Sequence, residues 1–105
     1  MTDTTPDAVD VYWRPGCPFC SSLKRSLKRR KVPVRFHNIW DDPEAAAAVR
    51  AAAGGNETVP TVAIAGRTLV NPTPQAVEQL LREVAPTLLP DQPAGAGRRR
   101  IWNRR

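Results

Sequence analysis

The sequence predicts an α/β fold: a mixed four-stranded sheet with three helices, in the order β-α-β-α-β-β-α over residues 8–85. Three observations lead there. Apolar residues alternate with a period of two in short runs and recur near every 3.6 positions in longer ones. The first two strand-like runs flank a helix-like one, which requires a parallel pair with a right-handed crossover. The last two flank a tight Ala65-Gly66-Arg67 loop, the sign of an antiparallel hairpin. Helices on both faces then cover the sheet.

Each element has its own signal. Ala8–Trp13 alternates, with Val9, Val11 and Trp13 on one face and Asp10 and Tyr12 on the other. Arg14-Pro15-Gly16 is a turn, and Cys17-Pro18-Phe19-Cys20 opens an amphipathic helix that continues through Ser21–Lys31. Phe19, Leu23 and Leu27 are its expected buried stripe, and the cations Lys24–Lys31 gather at the end where they suit the helix dipole. After Val32-Pro33, an imperfect alternation over 34–39 reads as the second strand. Asp41-Asp42-Pro43 starts a helix through the Ala-rich run 45–53, and Gly54-Gly55 stops it. Thr61–Ala65 and Thr68–Val70 are the hairpin strands. Thr73-Pro74 caps the last helix, whose stripe is Val77, Leu80, Leu81 and Val84.

Composition bounds the function. A chain of 105 residues holds one domain and a small core. Its net charge is +6, yet residues 1–93 carry eleven of the sixteen cations and all ten acids. The excess is the Arg98–Arg105 tail. Residues 1–7 are expected to be a flexible N-terminus, 8–85 the folded domain and 86–105 a Pro/Gly/Arg-rich tail. No run approaches the ~18 apolar residues of a membrane span, and residues 1–7 are polar rather than a signal peptide. Two closely spaced cysteines are not the framework of a stapled secreted scaffold, so a reducing cytoplasm is the expected compartment.

The cysteine pair carries the chemistry. Two thiols at i and i+3 of a first helical turn share a face and can close a disulfide, which is a redox signature between a strand and a helix. Cys17 precedes the helix, where free N–H groups and the dipole favour the attacking thiolate. Pro18 lacks an N–H, so Phe19 and Cys20 are the donors to consider, and Arg14 adds positive charge nearby. Cys17 is therefore the nucleophile and Cys20, expected to be less exposed, the resolving thiol. Zinc is the competing use of such a pair. It normally takes four ligands, and His37 is the sole further nitrogen or sulfur ligand, so no metal site is expected. Phe19 has two readings, an apolar wall for substrate and a member of the helix stripe. The segment Thr58-Val59-Pro60 precedes a strand after a Gly- and Asn-containing loop. A cis bond there would turn the Val59 backbone outward toward a ligand, whereas a trans proline would simply start an edge strand.

Taken together, the cysteine motif and Thr58-Val59-Pro60 make residues 8–85 resemble the glutaredoxin family of the thioredoxin-like fold. The resemblance implies that Pro60 is cis, stands beside the active cysteine, and is preceded by a residue that binds a thiol co-substrate through its backbone. Glutathione-using members carry a Gly-Gly pair and an acidic residue before the last helix. Here the stretch is Leu69-Val70-Asn71-Pro72-Thr73, which with Gly54–Val62 resembles the actinobacterial mycoredoxins, users of mycothiol. Arg14, Pro18, Phe19, Thr58, Val59, Pro60, Asn71 and Thr73 are then expected to line the co-substrate groove. Asn71 and Thr73 also read as a turn residue and an N-cap.

The expected activity is reduction of protein mixed disulfides by a monomer that uses mycothiol as co-substrate and holds no tightly bound cofactor. Two alternatives stand beside it. One is a redoxin that donates electrons to ribonucleotide reductase or another specific reductase and is recycled by a thioredoxin-type disulfide reductase. The other is a non-enzymatic zinc or nucleic-acid binding module. The Arg-rich tail, with Trp102, suits nucleic acid, an acidic partner or anionic lipid, and equally an extension without a dedicated role. The cations of 24–31 read as a solvated face or as a surface that steers acidic protein substrates.

Overall fold

The computed structural model describes residues 7–89. Four strands, β1 (Val9–Trp13), β2 (Val34–Asn38), β3 (Thr61–Ile64) and β4 (Arg67–Val70), form one sheet in the order β2-β1-β3-β4. β1 and β2 pair in parallel, Val9 opposite Val34 through Trp13 opposite Asn38. β3 pairs antiparallel with both β1 and β4. The expected fold class is the observed one.

Helices α1 (Pro18–Arg29), α2 (Pro43–Ala52) and α3 (Pro74–Val84) follow β1, β2 and β4. Each begins with proline at its first position, where the missing N–H has no helical partner to lose. Asp42 caps α2 by accepting from the N–H groups of Glu44 and Ala45, and Thr73 caps α3 through the Ala76 N–H. These cap bonds satisfy donors that the helix itself leaves free.

The strand period of two divides the core between the two faces of the sheet. On one face, Val9, Val11, Val62 and Ile64 meet Leu23 and Leu27 of α1 and Val77, Leu80 and Leu81 of α3. An ion pair between Arg30, at the end of α1, and Glu78, midway along α3 (3.5 Å), links the two helices. On the other face, Ile39 and α2 residues Ala45, Ala46 and Val49 pack with Tyr12 and Val59. The alanines let α2 lie close to the sheet. The hairpin turn places Ala65 (φ 52°) and Gly66 (φ 82°) in the left-handed region, as a two-residue type I′ connection requires.

Two expectations need correction. Phe19 does not belong to the buried stripe of α1; it is 69% exposed, and the stripe runs through Cys20, Leu23, Ser26 and Leu27. The packed unit also continues past residue 85. Pro86–Leu88 forms a 3-10 turn, and Leu88 and Leu89 are buried in the main core. The expected tail thus contributes four residues to the fold, while its arginines and Trp102 lie outside the described residues. Among the described residues, no helix is long and apolar enough to cross a membrane.

Candidate active site

The thiol pair lies where β1 hands over to α1. β1 ends at Trp13, and Gly16 (φ 75°) turns the chain into the helix. Cys17 is the N-cap in extended conformation, and Cys20 occupies the first turn. The two are joined in a disulfide with Cα atoms 5.2 Å apart. The Cys20 N–H points at Cys17 Sγ (3.1 Å), so the sulfur fills the place an Asp or Ser oxygen commonly takes at a helix start. Of the two donors considered from sequence, it is Cys20 that makes this bond. The residues are nearly equally buried, 6% and 5% exposed, so the expected difference in exposure is not present in the disulfide form. Their asymmetry lies in position: Cys17 caps the helix.

Cys17 also faces the second motif. Its Sγ lies 3.9 Å from the carbonyl oxygen of Val59, and the Val59–Pro60 peptide bond is cis. Two bonds hold this segment. Thr61 Oγ1 donates to the Thr58 carbonyl (2.7 Å), and the Asn71 N–H donates to the Pro60 carbonyl (2.7 Å). Pro60 is buried and Val59 packs on Tyr12 and α2, so the sheet fixes the wall against which the sulfur sits. Val59 finds no acceptor for its N–H among the described residues. Opposite strand backbone, such a free N–H and C=O pair can bind an extended ligand.

The remaining expected residues fall at different distances from this centre. Pro18 and Phe19 form its exposed lip on α1. Asn71 (φ 51°) supports Pro60 through its backbone, and Thr73 is the α3 cap, so both hold the turn positions read from sequence. Arg14 lines the hollow that reaches Cys20. Its guanidinium donates to the Pro15 carbonyl (3.0 Å) and lies 5.7 Å from the ring of Trp40, which is 64% exposed. This small hollow, about 140 Å³, reaches Cys20 between Trp13, Arg14, Gly16, Ser21, Lys24 and Phe36. Sequence patterning did not bring Phe36 to the thiols, because strand β2 comes alongside only through the crossover.

Behind the site, on the α2 face of β1 and β2, Asp10 accepts from Arg35 Nε (3.1 Å) and contacts His37 Nε2 (2.9 Å), and Tyr12 stacks on His37 at 4.9 Å. Partial burial alone would raise the Asp10 carboxyl, but the hydrogen bonds and charges of His37 and Arg35 outweigh it and hold it below the usual 3.8. Burial first, then the charges of Asp10 and Asp42, push the Tyr12 phenol above its usual 10. His37 is thus engaged with Asp10 and Tyr12. Among the described residues, no group of three or more His, Cys, Asp or Glu is placed to hold a metal ion.

Comparison with known proteins agrees with this geometry. The family model described as Glutaredoxin matches residues 9–69. A Mycobacterium tuberculosis chain assigned by name to the glutaredoxins is 35% identical over 79 residues, covering 74% of this chain and 94% of its own. Among solved structures, the glutaredoxin-like NrdH-redoxin from Escherichia coli superposes with a TM-score of 0.60 at 27% identity, over 70% of this chain and 93% of that one. The glutaredoxin from Brucella melitensis gives 0.56 at 26% identity, over 84% and 94%.

Proposed function

The chain belongs to the glutaredoxin family of thiol redox proteins, and on that footing we propose that it reduces mixed disulfides between proteins and mycothiol. One observation carries the reading: Cys17 Sγ caps a helix and faces the Val59 carbonyl ahead of a cis proline. The helix terminus favours the thiolate, and the Val59 backbone offers an extended thiol two hydrogen-bonding groups. The preference for mycothiol is supported by Asn71-Pro72-Thr73 in place of a Gly-Gly and acidic segment, and by the identity to a mycobacterial chain.

The reaction balances in two exchanges. The Cys17 thiolate attacks the mycothiol sulfur of the mixed disulfide, the old S–S bond breaks, and the protein leaves as a thiolate that takes up a proton. A second mycothiol thiolate then attacks the mycothiol sulfur bound to Cys17, releasing Cys17 as thiolate and mycothiol disulfide. Alternatively Cys20 attacks Cys17 Sγ, expels mycothiol and closes the Cys17–Cys20 disulfide. Leaving-group stability drives the direction: the sulfur with the lower pKa departs faster.

A second reading is electron donation to a specific reductase with recycling by a thioredoxin-type reductase. It is favoured by the likeness to the E. coli redoxin, whose activity profile is described as thioredoxin-like. The test offers protein–mycothiol and protein–glutathione mixed disulfides, and separately a thioredoxin reductase. Turnover with the mycothiol substrate is expected. Turnover with the thioredoxin reductase alone would sink the proposal. Cys17→Ser should abolish activity, whereas Cys20→Ser should retain it on mixed disulfides and lose it on protein disulfides. In the reduced protein, the Cys17 thiol should titrate below the free value of about 8.5.

A further inference from the structure

A second hollow lies away from the Cys17–Val59 wall, along the outer edge of the sheet. It measures about 700 Å³, with Val34, Phe36 and Leu88 for its floor and Lys24, Lys28 and Lys31 for its rim. None of the side chains that line it is acidic. Phe36 is 40% exposed there, with Lys24 Nζ 5.1 Å from its ring.

The backbone of this edge is open as well. Among the described residues, β2 is the outermost strand and pairs only with β1. Two bonds bracket that ladder: the Val9 N–H donates to the Pro33 carbonyl, and the Ile39 N–H donates to the Trp13 carbonyl. They direct residues 33, 35, 37 and 39 toward β1. By alternation, the N–H and C=O groups of Val34 and Phe36 point outward, into the rim of the hollow.

From these features we infer that the β2 edge is a docking site for an extended acidic segment of a protein partner, which adds to the sheet as a fifth strand. The pairing groups of Val34 and Phe36 supply the backbone bonds, and Lys24, Lys28 and Lys31 supply charge complementarity. The spacings agree. Lysines at i and i+4 of a helix rise about 6 Å apart. Side chains on one face of a strand recur about every 6.6 Å. Carboxylates at alternate positions of the added strand therefore meet Lys24 and Lys28, and Lys31, just past α1, extends the rim. The side chains between those carboxylates turn to the opposite face of the sheet, and the methylenes of the acidic side chains cross the apolar floor.

Other occupants fit less well. A nucleic acid would satisfy the lysines but has no strand backbone to pair with Val34 and Phe36. A second copy of this chain would set one lysine rim against another. Lys24 and Phe36 also line the small hollow that reaches Cys20, so the two hollows adjoin. Its occupant is a redox partner only if the proposed oxidoreductase reading holds, while binding itself does not depend on thiol chemistry.

The test uses the full chain and a capped eight-residue peptide of alternating Glu and Val, free of cysteine, so that binding is read apart from turnover. Saturable binding is expected, with amide exchange at Val34 and Phe36 slowed about tenfold. Affinity should fall about tenfold for the double variant Lys28→Glu/Lys31→Glu, and as far for an alternating Lys-Val peptide. It should fall likewise for a Glu-Val peptide N-methylated at alternate residues, which keeps its charge but cannot pair as a strand. Equal binding of the N-methylated peptide, unchanged binding by the double variant, protection confined to residues around Cys17, or no binding at about 1 mM would each overturn the proposal. So would a concentration-dependent dimer in which the same amides are protected without peptide.

Discussion

Asp10 shows what a single side chain contributes outside the reacting atoms. It joins Arg35 and His37 across the β1–β2 pair, and its carboxyl is held below the usual 3.8. A depressed folded-state pKa stabilises the fold above the unfolded-state value and loses that effect as pH falls through the folded-state value. Asp10→Asn should therefore lower the urea midpoint near neutral pH, at a cost of about 1 kcal/mol. The gap from the parent should close below about pH 4. A gap of the same size at pH 6 and pH 2.5 would contradict this. None of this pairing was legible beforehand, because Asp10 and Arg35 are 25 positions apart and meet only once the parallel register is set. Phe19 illustrates the opposite case. Its spacing to Leu23 and Leu27 is helical, but periodicity reports direction alone. The buried stripe enters the first turn of α1 at Cys20, which leaves Phe19 beside it facing solvent.

At the scale of elements, most of the architecture was readable because local signals and tertiary packing agree. The proline and cap at each helix start, Gly54 after α2 and the alternation in β1 and β3 fall where the elements begin and end. β2 was the least regular reading, and it is the edge strand, where one side of the backbone has no partner to discipline the side chains. The hairpin contains an unfavourable choice. Ala65 adopts φ 52°, a region that costs an L-residue with a Cβ about 1 kcal/mol. Ala65→Asn, which gives the Asn-Gly pair that type I′ turns favour, should raise the melting temperature by about 3–6 °C. Thermal unfolding of the two proteins decides it, and an unchanged or lower midpoint would mean that the turn conformation differs.

For the molecule as a whole, the main core closes only when residues past α3 are counted. Leu88 and Leu89 are each 7% exposed and pack with Val32, Leu80 and Ala85 in one cluster. Truncating Leu88 to Ala should cost about 2–3 kcal/mol, seen as a lower denaturant midpoint with an unchanged slope. A loss below about 0.5 kcal/mol would indicate that this segment is not docked. The sequence reading ended the domain early because Pro86 stops α3 and the composition turns Pro-rich, and neither fact reveals that two leucines fold back. The site was legible in its motifs and not in its contacts. Cys17, Cys20 and Pro60 carry recognisable chemistry, whereas the Arg14–Trp40 and Lys24–Phe36 pairs depend on how the β1-α1-β2 crossover places its ends. Finally, the sulfur that closes the first turn of α1 is also an electron carrier, so fraying of that turn is coupled to oxidation state. A thiolate accepts the Cys20 N–H more strongly than a disulfide sulfur does. Exchange of that amide should therefore slow on reduction, and a rate unchanged between the two states would uncouple them. The equilibrium is reciprocal: whatever loosens the start of this helix also disfavours the reduced form, which makes the mechanical firmness of one peptide turn a determinant of redox potential.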